Sequence, residues 1–103
     1  MNKYLLAIDA GTGSVRAVLF DTDGNQLCVS QQEWYHKEDP RFKGSMDFDW
    51  VHNWNLTVGC IQDVLDKSNV NPSEIAAVST TCMREGIVLY GKDQKEIWAC
   101  ANV

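Results

Sequence analysis

Several things are scarce in this chain, and each scarcity removes a class of function. No run of apolar residues approaches membrane-spanning length. The stretch Tyr4–Ile8 is cut by Asp9 before it could serve as a secretory signal. Basic residues occur singly, and the formal charge is −5 at pH 7, so neither nucleic acid nor an anionic membrane is an expected partner. The four cysteines, Cys28, Cys60, Cys82 and Cys100, include no C-x-x-C pair, and no histidine is placed to complete a zinc site. Reduced thiols in a cytoplasmic protein are the expectation. Prolines number only two, Pro40 and Pro72, so breaks in regular structure are few.

What is present is a core. In 103 residues, 45% are hydrophobic and 10% aromatic, enough for one small domain and too little for two. Residues 3–9 read as a strand buried on both faces. Residues 15–20 and 26–34 read as two more strands, joined by the turn-forming Asp21-Thr22-Asp23-Gly24-Asn25. The three form a β-meander. Residues 35–46 carry Pro40 and Gly44 and read as a loop. Helical spacing follows Asp47, with Val51, Trp54, Val58, Ile61 and Leu65 forming the apolar face. Asp47 or Asp49 is the expected N-cap, and the helix fades over 66–71, before Pro72. Residues 75–82, 87–90 and 96–103 complete the strands. The order predicts an α/β fold with a mixed β-sheet and one crossover helix. One long helix covers one sheet face only, which points to a piece of a larger protein and to self-association through exposed apolar surface.

The chemistry concentrates first in IDAGTGSVR, residues 8–16. Gly11 and Gly13 permit positive φ and close backbone approach. Successive amides there can converge on an anion, and Thr12 and Ser14 add hydroxyl donors. Arg16 lies on the same strand face as Ser14 and can offer a guanidinium. Asp9 can hold Mg2+ or its waters beside a phosphate. A plain hairpin turn with a capping aspartate accounts for the same residues. The stretch is no Walker loop: G-K-[ST] is missing and a strand follows.

A second candidate is Arg84-Glu85, at the carboxyl end of the expected parallel strand, where open α/β sheets bind ligands. Arginine donates to hydroxyl or carbonyl oxygens and glutamate accepts from hydroxyls, so the pair can orient a polyol. A mutually paired surface couple is the alternative. Trp98 offers an apolar wall to a sugar-like ligand, or core packing. Trp54 reads as core, His36 and His52 as solvated, and Trp34 and Trp50 take no role.

Asp9-x-Gly11-Thr12-x-Ser14-x-Arg16 between two strands resembles the first phosphate loop of the actin- and hexokinase-like ATPases. The wording AIDAGTGSVRAVLFD is most similar to the FGGY carbohydrate kinases of that superfamily. GSMDFD (44–49), STTCMREGIVLY (79–90) and IWACANV (97–103) resemble later segments of the same family. The likeness covers essentially the whole chain, as about a fifth of such a kinase. It implies the N-terminal part of an actin-like, ribonuclease H-like ATPase domain, with residues 1–103 an incomplete first domain. It also implies ATP and Mg2+ as cofactors and a small sugar-like polyol or dione as substrate. Asp9 would lie near the metal, Gly11, Thr12, Gly13, Ser14 and Arg16 at the phosphates, and Arg84, Glu85 and Trp98 at the substrate. The general base of that family is expected beyond Val103, so no catalytic residue is assigned within the chain. A kinase for pentuloses or glycerol, and a non-catalytic actin-like binding or assembly module, remain the alternatives.

Overall fold

The computed structural model describes residues 2–102. Strands β1 (Tyr4–Ala10), β2 (Ser14–Asp21) and β3 (Gln26–Glu33) form the expected antiparallel meander. The β2–β3 turn is built by one side chain. Asp21 Oδ1 accepts from the amides of Asp23 and Asn25, and Oδ2 accepts from Asn25 Nδ2. Asn25, the main cause, holds the Asp21 carboxyl below its ordinary range. Gly24 at φ +88° supplies the left-handed step that closes the turn.

Helix α1 (Trp50–Ser68) then crosses the sheet. Asp49 is its N-cap, accepting from the His52 amide, and Asn69 ends it in the left-handed conformation at φ 58°. After a 3-10 turn over Pro72–Glu74, the chain enters β6 (Ile75–Cys82), which pairs parallel to β1. The first sheet therefore runs β3-β2-β1-β6, a mixed sheet with one crossover helix as the sequence pattern predicts.

Three features differ from expectation. The stretch 35–46 is not all loop: β4 (Lys37–Glu38) and β5 (Met46–Asp47) pair with each other. They join β7 (Ile87–Tyr90) and β8 (Glu96–Cys100) in a second sheet, ordered β4-β5-β8-β7. Strands only two residues long carry too little periodicity to stand out against turn residues.

The helix is also rotated relative to its apolar pattern. Its buried residues are Asn53, Thr57, Cys60 and Val64, whereas Val51, Trp54 and Val58 are exposed. Trp54, expected in the core, is 59% exposed. The two stripes lie side by side, each one residue from the other, so the helix carries an apolar arc wider than a single sheet face can cover. Thr57 is accepted into the buried stripe because its hydroxyl donates to Asn53 O at 2.9 Å. The core beneath α1 consists of Leu6, Val15, Ala17, Leu19, Cys60 and Val64, joined by Trp34.

The expectation that the strands are buried on both faces is likewise corrected. On the side away from α1, Leu5, Leu27 and Val29 are exposed, and β6 is exposed along nearly its whole length. On the α1 side a trough remains between the helix and β6, lined by Ile8, Trp50, Asn53, Trp54, Thr80 and Tyr90 among others. Asn53 is 2% exposed, and its Nδ2 has no hydrogen-bond partner among the described residues.

Matched substitutions on the two helix stripes test this rotation. Val64→Ala should cost about 2 kcal/mol in urea unfolding, because both lost methyls are fully buried. Val58→Ala should cost less than about 0.5 kcal/mol. Equal losses would mean that α1 faces the sheet differently.

Candidate functional site

The parallel pairing of β1 with β6 decides where the two candidate segments meet. Ala10 and Cys82 are register partners at the carboxyl ends of their strands. The glycine loop and the Met83–Gly86 turn therefore leave the sheet side by side, as ligand-binding loops of open α/β sheets do. Behind them lies a small, largely apolar cleft of about 170 Å³, bounded by Ala10, Trp34, Phe48, Met83, Gly86 and Cys100 among others.

The β1–β2 register makes Thr12 and Gly13 the two central residues of a tight hairpin. Gly11 donates its amide to Ser14 O at 2.8 Å. The expected positive φ is not used: among the described glycines only Gly24 and Gly44 have it, and Thr12 lacks it too. Two-residue hairpins usually take primed turns, which need a positive φ, so this one is unusual and draws its shape from elsewhere. A Cβ at Gly13 would meet nothing within 4 Å, whereas one at Gly11 would touch Ser14 O at 3.4 Å. Gly13 thus keeps open space beside the backbone. The amides of Thr12 and Gly13 have no acceptor among the described residues.

Asp9 and Arg16 face each other across β1 and β2, with Nε donating to Oδ2 at 3.3 Å, both partly exposed. Arg16 is therefore engaged with Asp9, while Asp9 Oδ1 stays free of a partner among the described residues. No group of three potential metal ligands occurs among the described residues. A single carboxylate with one free oxygen fits the sparse protein ligation of Mg2+, which is held largely by phosphates and water.

Arg84 and Glu85 occupy the turn between β6 and β7, Glu85 at φ 62°. Both are exposed and they form no ion pair with each other, so the mutually paired couple is not what the structure contains. Arg84 O accepts from Asn102 Nδ2 at 2.8 Å, which ties the turn to the segment after β8. Trp98 lies elsewhere: it is opposite Leu89 on β8 and meets Phe42 edge-on at 6.2 Å. The structure brings the glycine loop and Arg84-Glu85 to one end of the sheet, and seats Trp98 against the 39–45 loop.

That loop is held by an ion pair. Asp39, 2% exposed, accepts from Arg41 Nε at 3.0 Å, Nη2 at 2.9 Å and the Arg41 amide at 2.9 Å. The Arg41 side chain and amide hold the Asp39 carboxyl below its ordinary range. The Trp98 side chain acts on this carboxyl in the same direction, and its buried Nε1 has no other hydrogen-bond partner among the described residues.

The residues that sequence reasoning missed are Trp34 and His36. Trp34, 4% exposed, donates from Nε1 to Gly11 O at 3.0 Å and Thr12 O at 3.1 Å, and from its amide to Gly13 O at 3.1 Å. His36 is not solvated as expected: its Nε2 lies 2.7 Å from Thr12 O, and its ring packs against Phe48. The β2–β3 register was the available signal, because Ser14 opposite Glu33 sets Trp34 directly across from Gly13.

The mixed sheet with its crossover helix is an actin-like fold. The profile of the FGGY family of carbohydrate kinases, N-terminal domain, matches residues 4–102. The chain belongs to that family. It is 56% identical over 100 residues to the autoinducer-2 kinase of Yersinia enterocolitica, covering 97% of this chain and 19% of that protein. Among solved structures it is similar to a gluconate kinase from Lactobacillus acidophilus, with TM-score 0.83, 20% identity, and coverage of 98% and 20% of the two chains. It is also similar to the ligand-bound xylulose kinase from the same organism, with TM-score 0.81, 20% identity, and coverage of 96% and 19%. The chain thus spans about a fifth of the length of these relatives.

The Asp39–Arg41 pair predicts an acid threshold. An unfolded aspartate titrates near about 3.9, and the folded value lies lower, so the stabilisation is complete above about pH 4. It is lost as pH falls through the folded value. Arg41→Met should raise the Asp39 titration midpoint, followed by the carboxyl carbon shift in NMR. An unchanged midpoint would remove the guanidinium as its cause.

Proposed function

We propose that this chain is the first portion of an ATP-dependent kinase for a small sugar-like polyol. The substrate we favour is 4,5-dihydroxy-2,3-pentanedione, the autoinducer-2 precursor, phosphorylated in quorum-sensing signal processing. The observation that carries the reading is the adjacency of the Gly11–Ser14 loop and the Arg84-Glu85 turn at the ends of paired parallel strands. The choice of substrate rests on the 54–56% identity to proteins named autoinducer-2 kinase.

In this reading the amides of Thr12 and Gly13 and the hydroxyls of Thr12 and Ser14 donate to nucleotide phosphate oxygens. Asp9 holds Mg2+ or its waters, and Arg16 braces Asp9. Mg2+ supplies neutralisation of charge that builds on the phosphate oxygens. Arg84 and Glu85 orient the substrate hydroxyl for in-line attack, positioning being the main contribution of such sites. The γ-phosphoryl bond to ADP breaks as the new bond to the hydroxyl forms. The hydroxyl proton passes to a base expected beyond Val103, outside the described residues. We take the compartment to be the cytoplasm, in keeping with four free cysteines.

A second reading, another sugar kinase of the family, is favoured by the structural likeness to the xylulose kinase. A substrate panel on the protein encoded by the complete reading frame separates the two. Phosphorylation of the dione, with Arg84→Ala lowering kcat/KM by about 100-fold, is the expected result. Rapid phosphorylation of xylulose but not the dione would transfer the assignment. A reading frame that stops after Val103, yielding a stable monomer, would favour a non-catalytic module. The 103-residue chain by itself is expected to show no turnover and to self-associate through Leu5, Leu27, Val29 and the open β6 face. Measurable kinase activity, or light scattering from a compact monomer, would contradict this.

A further inference from the structure

We infer that Trp34 and His36 form a clamp that sets the shape, and hence the anion affinity, of the Gly11–Gly13 loop. The inference rests on the phosphate-loop reading and assigns both residues a positioning role within it. All three carbonyls of the loop are engaged by this pair. Gly11 O and Thr12 O accept from the Trp34 indole, Gly13 O accepts from the Trp34 amide, and Thr12 O also faces His36 Nε2. A carbonyl only accepts, so His36 Nε2 carries the proton. Its Nδ1 is buried and has no hydrogen-bond partner among the described residues.

The loop needs such support because it lacks the usual internal means. In a self-sufficient hairpin Ser14 N–H would return a bond to Gly11 O, yet here Gly11 O turns to the indole. Neither central residue has the positive φ that lets a two-residue turn match strand twist. With every carbonyl occupied on the clamp side, the backbone groups of the Gly11–Gly13 loop left without a partner among the described residues are the amides of Thr12 and Gly13, which are donors. The clamp itself is rigid: the Trp34 ring is buried and meets Phe48 edge-on at 5.6 Å, and the His36 ring lies 5.7 Å from the same phenyl.

The test uses the protein encoded by the complete reading frame, 15N-labelled and titrated with inorganic phosphate while the Thr12 and Gly13 amides are followed by NMR. Trp34→Phe keeps an aromatic ring but loses the indole donor. His36→Leu removes the second donor, and His36→Gln restores one. Trp34→Phe and His36→Leu should each weaken phosphate binding by roughly tenfold and increase loop motion, while the β1–β2 ladder amides stay in place. His36→Gln should recover most of the affinity. Wild-type binding with undiminished affinity in Trp34→Phe and His36→Leu would overturn the clamp and leave the phosphate loop standing. Loop amides unmoved by phosphate in the wild type would overturn both.

Discussion

The constraint from which the site follows is the double pairing of β1, antiparallel to β2 on one side and parallel to β6 on the other. Parallel pairing requires a crossover, and α1 supplies it from the far edge at β3. Because the two parallel strands end together, the loops that follow them must emerge together. The same register places Leu6 beside Leu19, under the helix, and Asp9 beside Arg16, on the opposite face. Core and candidate site are thus two ends of one hydrogen-bonded strand.

The first sheet was legible because its signals are local. Strand-length apolar runs, the Asp21–Asn25 turn and the Asp49 cap each act within a few residues. The glycine loop was legible for the same reason, as a sequence of residue types. Its conformation was not. Gly11 and Gly13 invite a positive-φ turn, and the structure denies it because tertiary bonds from Trp34 and His36 set the backbone instead. Those partners lie more than twenty residues away, and only by counting through two strand registers do they reach the loop.

Helix α1 shows a different kind of illegibility. Periodicity reports which residues avoid water in the protein as a whole, not which of them meet the nearest sheet. Val51, Trp54 and Val58 outrank Asn53 and Thr57 in hydrophobicity, yet it is the polar pair that is buried. The chain spans about a fifth of the length of its relatives, and the Val51, Trp54 and Val58 stripe stands exposed. Trp98 is comparable: its composition suggested a ligand wall, and its position against Phe42 follows from the β8 register, which the sequence pattern does not announce.

The buried amide of Asn53 gives the trough beside α1 a chemical preference. Filling that space with hydrocarbon alone would strand an N–H donor in a dry setting, at a cost of about 1–3 kcal/mol. A surface that presents one oxygen acceptor at the height of Asn53 avoids the penalty, and one slid along the helix by a single turn does not. Hydroxyls of Thr80 and Tyr90 also line the trough, but Asn53 Nδ2 is the donor there that is both buried and unpartnered among the described residues, so it marks one height along the helix as the place where an acceptor counts.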